Sequence, residues 1–421
     1  MNLSPPQRKR ILAVCYGGGH VLMLIPVLKL LEAQGFDVKI AGLTTAAASL
    51  RKAGFEPLGF RDLIHEEDTR AQEHGTRLAR EMHQGSKVNS LEESIAYLGL
   101  SYADLEDQHG AGGAAQAFNE QGRQAFLPLG PVRRLFDLVQ PDVLLTTNSP
   151  RAELASIRVA AERGIPSVGV LDLFGLQPYN DIPADRVCVP FHQATSILVD
   201  RGLKPEALTV SGNPNFDWIH ELIGGADLSA DWRSRHGVQP GDLLVLYGMK
   251  PHWDQHEELI VQCLEQLLPR RPHWKVVVRP HPNSDAVLAQ NVIQRLGPEI
   301  AFLNENTPLS EALTACDALI THKSTVSVEA ALLGKQVALV HSNHDYPTHG
   351  IPLHLFGWGT FSISVPEAIE ALSRWKKEAP EREAERGAKV RAAWNCDGQS
   401  HVRIAAVVAQ ALAEGQQHHA A

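Results

Sequence analysis

The sequence predicts an α/β protein with two Rossmann-like domains, each built on a parallel sheet, that face a common cleft. Short apolar runs alternate with segments of helical periodicity, which is the pattern of a parallel sheet covered by helices on both faces. This alternation begins near the N-terminus and starts again after residue 215. A chain of 421 residues is also long enough to form two hydrophobic cores.

The apolar runs predict a series of strands in each half of the chain. The predicted strands are Ile11–Cys15, Asp37–Gly42, Asp142–Thr146, Ser167–Leu171, Arg186–Val189, Asp242–Leu246, Lys275–Arg279, Ala318–Thr321 and Gln336–Val340. Apolar residues at helical spacing predict the helices between them. These helices are Val21–Gln34, Arg151–Glu162, Gln255–Leu268 and Thr325–Leu333. Ligands of open parallel sheets bind beyond the C-terminal ends of the strands, so the residues that follow each strand are the candidate site.

A turn near the middle of the chain predicts the border between the two domains. Residues 211–214 read Ser-Gly-Asn-Pro, which favours a turn. We therefore expect an N-terminal domain at 1–215, a C-terminal domain at 216–398, and a final helix and tail at 399–421. Residues 61–120 interrupt the alternation with charged residues, glycine and alanine, and they predict a mobile helical insertion near the cleft.

Composition narrows the classes of partner and compartment. The chain has 39 lysines and arginines against 48 aspartates and glutamates, and this net charge of −9 disfavours a nucleic-acid partner. The basic run at 8–10 predicts a solvated tail, with a weak peripheral contact to a membrane surface as the alternative. Five widely spaced cysteines, mostly in apolar stretches, fit free thiols in a reducing compartment. No apolar run is long enough to span a membrane and no signal-peptide pattern is present, so we expect a cytoplasmic protein.

The loop after the first strand is the strongest N-terminal feature. It reads Tyr16-Gly17-Gly18-Gly19-His20 and leads directly into a helix. Glycines let a backbone approach a ligand closely, and the free N–H groups of a helix start attract anions, so Gly18 and Gly19 are candidate phosphate contacts. His20 is a candidate general base, because imidazole exchanges protons near neutral pH. The alternative is an ordinary glycine turn with a capping histidine. A dinucleotide site is disfavoured because the GxGxxG pattern is absent.

A second polar group follows a strand in the C-terminal half. Residues 276–283 read Val-Val-Val-Arg-Pro-His-Pro-Asn, so that Arg279 and His281 lie beside prolines that restrict the backbone. Both side chains are candidates for neutralising phosphate oxygens, with a rigid turn as the alternative. Lys250, which follows the strand at 242–246, is a further candidate phosphate contact, with a surface lysine as the alternative.

A third polar group opens the helix after the strand at 318–321. Ser324 and Thr325 combine hydroxyl groups with the free N–H groups of a helix start, which suits a phosphate. Glu329 lies one turn further along at i, i+4 spacing from Thr325 and is a candidate acceptor for ribose hydroxyls. The alternative is that Ser324 or Thr325 only caps the helix and that Glu329 is a solvated helix residue.

The remaining candidates are acidic residues and a group of histidines. Asp172 follows the strand that ends at Leu171 and is a candidate base, as is Asp181, with turn residues as the alternative for both. The histidines at 341, 344, 349 and 354 lie in a loop rich in proline and glycine, without the spacing of a helical metal site. We therefore predict neither a metal nor another cofactor.

Several of these segments resemble motifs of known enzyme families. The strand, the Gly-Gly-Gly-His loop at 17–20 and the following helix resemble the N-terminal loop of nucleotide-sugar glycosyltransferases with the GT-B fold. Residues 209–217 resemble the TGNxxxD turn of bacterial UDP-N-acetylglucosamine 2-epimerases. Residues 279–282 and 324–330 resemble the HP and S(S/T) motifs of bacterial capsule and lipopolysaccharide transferases, and residues 397–404 resemble the DGxAxxRI ending that several of these enzymes share.

The resemblance implies a role for each matching position. It implies that the first domain is the acceptor side and that the second binds the nucleotide. His20 and the glycines would face the acceptor and the sugar, and Asp345 would contact the sugar, although Asp345 is equally a turn residue by its neighbours. The implied nucleotide and phosphate contacts are Arg279, His281, Ser324, Thr325 and Glu329.

The chain also departs from the epimerase pattern. The epimerases carry an RPE motif where this chain has residues 17–20, an HRxEN motif where it has 248–254, and a DSGG segment where it has 322–325. The loss of these acidic and basic groups disfavours epimerase chemistry, although Lys250 remains in place for a phosphate.

Together these features predict a metal-independent glycosyltransferase of bacterial surface-glycan synthesis. Its expected partners are a UDP-, CMP- or CDP-linked sugar donor and a glycan or lipid-linked acceptor. The first alternative is a nucleotide-sugar 2-epimerase or hydrolase on the same fold. The second alternative is a protein that binds nucleotide sugars without catalysis.

Overall fold

The protein divides into two compact units, and each is described by itself. The first unit unites Met1–Asp217 with Gly398–Ala421, and the second comprises Trp218–Asp397. The computed structural model describes residues 8–43, 45–82, 90–176, 182–223, 229–281, 284, 286–297, 300–304, 307–322, 324–342 and 357–420.

The first unit is built on a six-stranded sheet whose strand order is β2-β1-β3-β4-β5-β6. All neighbouring strands pair in parallel. The strands are β1 (Arg10–Cys15), β2 (Asp37–Gly42), β3 (Val143–Thr147), β4 (Ser167–Val170), β5 (Arg186–Val189) and β6 (Leu208–Val210). The parallel arrangement brings the C-terminal ends of β1, β3 and β4 side by side at one edge of the sheet.

Helices cover this sheet, and the last helix of the chain returns to it. The helices are α1 (Gly19–Ala33), α2 (Ala46–Lys52), α3 (Thr69–Met82), α4 (Leu91–Gln121), α5 (Leu129–Val139), α6 (Ala152–Glu162), α7 (His192–Asp200) and the C-terminal helix, Ser400–Ala420. The C-terminal helix packs on α1 and on β3, β4 and β5. Its buried residues Ile404 and Val408 share one hydrophobic core with Ile11 and Leu24. This packing explains why the last segment of the chain belongs to the first unit.

The segment after β2 contains two closely packed helices, α3 and α4. A Cβ atom on Gly75 would lie 2.1 Å from the carbonyl oxygen of Ile95, and one on Gly99 would lie 2.0 Å from that of Ala71. These two glycines therefore permit the close approach of the helices. The helix α4 changes direction at Gly110, whose φ of 69° lies in the left-handed region.

The second unit repeats the plan with another parallel six-stranded sheet, in the order β12-β11-β10-β7-β8-β9. Its strands are β7 (Leu243–Gly248), β8 (Trp274–Arg279), β9 (Ala301–Phe302), β10 (Ala318–Thr321), β11 (Gln336–Val340) and β12 (Thr360–Ser362). Its helices are α8 (Asp217–Ile223, which begins on the last residue of the first unit), α9 (Ser229–Arg235), α10 (Gln255–Leu267), α11 (Ala286–Leu296), α12 (Leu309–Ala315), α13 (Val326–Leu332), α14 (Val365–Ser373) and α15 (Pro380–Ala393). The C-terminal helix is α16 in this numbering.

The predicted fold class of two parallel-sheet α/β domains is confirmed. Three strands were not predicted from the sequence, namely β6, β9 and β12. Each is an edge strand of two or three residues that pairs on one side only. Most of their residues are only partly buried or exposed, so no continuous apolar run marks these strands.

Two further sequence-based expectations can be compared with the structure. The five cysteines are free thiols and all are buried, as their apolar surroundings predicted. Among the helices that the structure describes, none combines the length and apolar character needed to cross a membrane.

Candidate active site

The glycine loop of the first unit connects β1 to α1 at the C-terminal edge of the sheet. A Cβ atom on Gly17 would lie 1.5 Å from Oγ1 of Thr45, so no larger residue fits there without displacing Thr45. Gly18 has a φ of 67° and a ψ of −137°, which glycine adopts without strain. Its N–H donates to Oγ1 of Thr45 over 3.1 Å. The two glycines therefore fix the loop and present His20 in the first turn of α1.

His20 lies between groups from two neighbouring strands. Its Nδ1 is 2.9 Å from Oγ1 of Thr147, the last residue of β3. Its Nε2 is 3.4 Å from Oδ2 of Asp172, which follows β4. The structure thus brings together the two residues that the sequence predicted as catalytic, because β1, β3 and β4 are adjacent and parallel.

Asp172 is held in position by hydrogen bonds to its other carboxylate oxygen. Oδ1 accepts from the side-chain amide of Asn148 over 2.9 Å and from the N–H of Gly175 over 2.9 Å. The N–H of Asp172 donates in return to Oδ1 of Asn148 over 2.8 Å. With Oδ1 occupied, Oδ2 is the oxygen that faces His20.

A buried glutamate lies behind His20. Glu153, in the first turn of α6, is completely buried. Its Oε1 lies 3.5 Å from Oγ1 of Thr147, which in turn contacts His20. Burial raises the pKa of the Glu153 carboxyl, and the opposing effect of His20 is smaller. Sequence reasoning missed Thr147, Asn148 and Glu153, although the polar run that ends β3 directly after a buried stretch was a signal for the first two.

The turn at 213–215 also contacts the glycine loop. The side-chain amide of Asn215 donates to the carbonyl oxygen of Gly19 over 2.9 Å. The side chain of Asn213 accepts from the N–H of Asn215 over 2.9 Å and so fixes this turn. The segment that resembles the TGNxxxD turn therefore supports the start of α1.

The same segment anchors the C-terminal helix. The carboxylate of Asp217 accepts from the N–H groups of Ser400 and His401, over 3.3 and 3.4 Å, and lies 3.0 Å from Nδ1 of His401. Arg403 donates to the carbonyl oxygen of Ser211 over 3.2 Å. The segment at 211–217 is thus in direct contact with residues 400–403 within the first unit, where it fastens α16.

In the second unit, Arg279 is the last residue of β8 and lies in the electrostatic field of Glu329 on α13. Nη1 of Arg279 donates to the carbonyl oxygen of Thr307 over 2.7 Å. Burial raises the pKa of Glu329 to about 7, against the opposing effect of Arg279. Glu329 is partly buried rather than fully solvated.

Lys250 and His281 lie at the same edge of this sheet, after the paired ends of β7 and β8. The pKa of His281 is lowered by burial and, to a lesser extent, by the positive charge of Lys250. Ser284 joins the two loops, because its hydroxyl donates to the carbonyl oxygen of Lys250 over 3.2 Å and its N–H to that of His281 over 2.8 Å. This edge concentrates cationic groups, which suits an anionic ligand.

Thr325 occupies the N-cap position of α13, but its side chain makes no capping hydrogen bond. The backbone carbonyl of Ser324 accepts from the hydroxyl of Ser327 over 2.6 Å. The Thr325 hydroxyl therefore does not cap the helix, and Thr325 is an exposed residue.

His256, His322, His341 and Glu257 lie close together, next to the loop that carries Lys250. The ring of His256 stacks on that of His341 with centroids 4.0 Å apart. His322 is buried, and neither of its ring nitrogens makes a hydrogen bond to a described residue. Its Nε2 lies 3.3 Å from Oε1 of Glu257. Oε1 of Glu257 also accepts from the N–H of Lys250 over 2.8 Å. Within the described parts of the chain, no group of three or more such side chains has the geometry of a metal site.

Comparison with solved structures identifies the fold. A UDP-GlcNAc 2-epimerase from Neisseria meningitidis, bound to UDP-GlcNAc, matches with a TM-score of 0.60 and 12% identity over 96% of this chain and 100% of that chain. The calicheamicin glycosyltransferase CalG4 matches with a TM-score of 0.56 and 16% identity over 97% of this chain and 99% of that chain. The chain has the GT-B fold.

One more solved structure matches the chain, whereas comparisons by sequence alone find no match. A UDP-GlcNAc 2-epimerase from Methanocaldococcus jannaschii, in complex with UDP-GlcNAc and UDP, has a TM-score of 0.53 and 15% identity over 91% of this chain and 99% of that chain. No family model and no curated protein sequence matches the chain. The predicted GT-B and 2-epimerase-like resemblance is therefore confirmed at the level of the fold.

Some predicted positions fall outside the residues that the structure describes. They are Asp181, Asp345 and the histidines at 344, 349 and 354. The proposed sugar contact of Asp345 therefore remains a prediction from the sequence.

Proposed function

We propose that this protein is an enzyme that binds a nucleotide sugar and cleaves the bond between its anomeric carbon and the nucleotide phosphate. The observation that carries the proposal is the pairing of His20 with Asp172 at the C-terminal edge of the first sheet, where a GT-B protein of this topology binds ligands. Support also comes from the solved structures of the same fold that contain UDP-GlcNAc or UDP.

The second unit supplies the groups for the nucleotide. Lys250 and Arg279 would neutralise the phosphate oxygens and stabilise the negative charge that develops on the leaving phosphate. His281, whose lowered pKa favours the neutral ring, would donate a hydrogen bond to the same phosphates. The Thr325 hydroxyl and the neighbouring Ser324 would donate to the same phosphates. Glu329 would accept from ribose hydroxyls in its ionised form.

The first unit supplies the groups that move a proton. His20 or Asp172 would accept a proton from the carbon or hydroxyl that reacts, and Gly18 and Gly19 would allow the sugar to approach the backbone. The bond from the anomeric carbon to the phosphate oxygen breaks, and its electron pair leaves with the nucleotide. This step is common to glycosyl transfer and to an epimerisation that proceeds by elimination.

Two reactions are thus compatible with the site, and different observations favour them. Most of the named similar structures are UDP-GlcNAc 2-epimerases, which favours epimerisation or hydrolysis as the first candidate. In epimerisation the base removes the proton at C2 as the nucleotide leaves, and the nucleotide then adds back at C1 while a proton returns to the opposite face of C2. In hydrolysis, water takes the place of the nucleotide at C1, so neither reaction requires an acceptor. CalG4 and the absence of the epimerase motifs favour glycosyl transfer as the second candidate. In that case the base removes the proton of an acceptor hydroxyl, whose oxygen attacks the anomeric carbon as the nucleotide leaves.

Incubation of the protein with UDP-, CMP- and CDP-sugars in D2O, followed by proton NMR, tests the proposal. An epimerase exchanges the C2 proton for deuterium and forms the epimer without an acceptor, whereas a hydrolase releases free sugar. A transferase leaves the donor intact until a glycan or lipid-linked acceptor is added. Binding of a nucleotide sugar without any of these reactions would instead support a non-catalytic binding protein.

A further inference from the structure

The hydroxyl of Thr147 stands between His20 and the buried carboxyl of Glu153. It lies 2.9 Å from Nδ1 of His20 on one side and 3.5 Å from Oε1 of Glu153 on the other. Thr147 and Glu153 are both completely buried. These are the two polar contacts of this hydroxyl among the described residues, so its single proton points at one of them.

The charge of Glu153 decides which way the hydroxyl points. An ionised carboxylate can only accept hydrogen bonds, so Thr147 must donate to it. The lone pairs of the Thr147 oxygen then face Nδ1 of His20, and a close contact of 2.9 Å requires that Nδ1 carries a proton. In neutral imidazole only one nitrogen is protonated, so Nε2 keeps its lone pair.

The opposite side of the ring fits this arrangement. Nε2 of His20 lies 3.4 Å from Oδ2 of Asp172, farther than the 2.9 Å of the Nδ1 contact, and with the proton on Nδ1 both of these atoms are acceptors. A proton of a bound substrate placed between them would meet two acceptors at once. The Nδ1 contact is thus the one that sets the tautomer.

We propose that Glu153 is a positioning residue that acts through Thr147: its carboxylate orients the hydroxyl, which keeps the proton of neutral His20 on Nδ1 and leaves Nε2 as the base. This role deepens the proposed function and rests on it, because it assigns the base nitrogen of the same site. Glu153 itself touches no substrate.

The proposal includes a dependence on the ionisation of Glu153. Burial raises the pKa of its carboxyl, against the smaller opposing effects of His20, of the Ser149 side chain and of the backbone of Tyr16. A protonated Glu153 would donate to Thr147 and reverse the hydrogen bonds, so the working tautomer is lost as the pH falls through this raised pKa. The titratable and charged groups whose fields reach Glu153 or its neighbour Tyr97 are Cys15, Tyr16, His20, Tyr97, Arg123 and Arg151.

Long-range proton–nitrogen NMR of the ligand-free protein tests the inference, since it reports which imidazole nitrogen carries the proton. The His20 signals are assigned by their absence in His20→Gln. We expect the Nδ1–H tautomer in the wild type and in Thr147→Ser, which keeps the hydroxyl. In Thr147→Val and in Glu153→Gln, whose amide can donate as well as accept, we expect the Nε2–H tautomer to appear. A wild-type His20 that is protonated on Nε2, or a Thr147→Val tautomer identical to that of the wild type, would overturn the proposal.

The measurement separates this inference from the proposed function, because it needs no substrate. A protein with the expected tautomer that turns over no nucleotide sugar would contradict the proposed function alone. Once a substrate is known, Thr147→Val should lower kcat by about tenfold and leave KM nearly unchanged. This loss is smaller than that expected from removing the base itself, because Thr147 only positions the base. Thr147→Ser should restore most of kcat.

Discussion

Oδ2 of Asp172 lies 3.4 Å from Nε2 of His20, while Oδ1 of the same carboxylate is held by two hydrogen-bond donors. Asn148 and the N–H of Gly175 supply these donors, so the carboxylate cannot rotate without losing them. The site therefore presents one histidine nitrogen and one carboxylate oxygen in a fixed relation, which is the arrangement that proton transfer requires.

Replacing Asp172 tests this arrangement. In Asp172→Asn the side chain keeps its shape but loses its charge and its basicity, so we expect kcat to fall by about a hundredfold. The melting temperature should change little. Asp137→Asn is the matched control, because Asp137 is an exposed carboxylate paired with Arg163. Equal loss in both variants would mean that the effect is not specific to the site.

The glycine loop gives a prediction about stability. Gly17→Ala places a methyl group where Oγ1 of Thr45 now lies, 1.5 Å away, so we expect a loss of about 1–3 kcal/mol in the free energy of unfolding. Gly112→Ala is the control, since nothing lies within 4 Å of a Cβ atom there. Chemical denaturation of both variants measures the difference, and a Gly17→Ala protein as stable as the control would contradict the described loop.

Asp217 is predicted to fasten the C-terminal helix. Asp217→Ala removes the acceptor for the N–H groups of Ser400 and His401, and we expect a loss of about 1–2 kcal/mol. Asp231→Ala should cost less than about 0.5 kcal/mol, since its pair with Arg235 is exposed. Hydrogen exchange should show faster opening of α16 in Asp217→Ala only. Unchanged exchange in α16 would show that Asp217 does not anchor it.

Glu329 gives a prediction about pH. Its pKa is about 7 in the folded protein, against 4.5 for the ordinary group, so the folded state binds the proton more tightly than the unfolded state. This contribution favours folding at low pH and is lost as the pH rises from about 4.5 to about 7. Glu329→Gln has no carboxyl to titrate at this position and does not lose this contribution. We therefore expect the free energy of unfolding of the variant, minus that of the wild type, to rise by at most about 3 kcal/mol between pH 4 and pH 8. A stability difference that is independent of pH would contradict the burial of this carboxyl.

The central strands could be predicted because they are buried on both faces and therefore form continuous apolar runs. His20, Asp172 and Arg279 were found for the same reason, since each lies at or just beyond the end of such a run. The edge strands β6, β9 and β12 are too short for this signal. A sheet order such as β2-β1-β3-β4 places His20 beside Asp172, and no local pattern reveals that neighbourhood.

Glu153 shows a different limit of sequence reasoning. A glutamate in the first turn of a helix is ordinarily solvated and favourable there, so nothing in the local sequence marks it as buried. Its burial follows from the packing of α6 against β1 and β3, which is a tertiary effect. The roles of Thr147 and Asn148 likewise depend on which strands are neighbours.

The most direct test of the account is the rate at which the wild type and His20→Gln consume a panel of UDP-, CMP- and CDP-sugars, measured together with the affinity of each protein for the same compounds. We predict that the wild type converts at least one of them, and that His20→Gln binds it with similar affinity but reacts about a hundredfold more slowly. A panel that the wild type leaves unchanged with and without glycan acceptors, or a His20→Gln variant that reacts as fast as the wild type, would contradict the account.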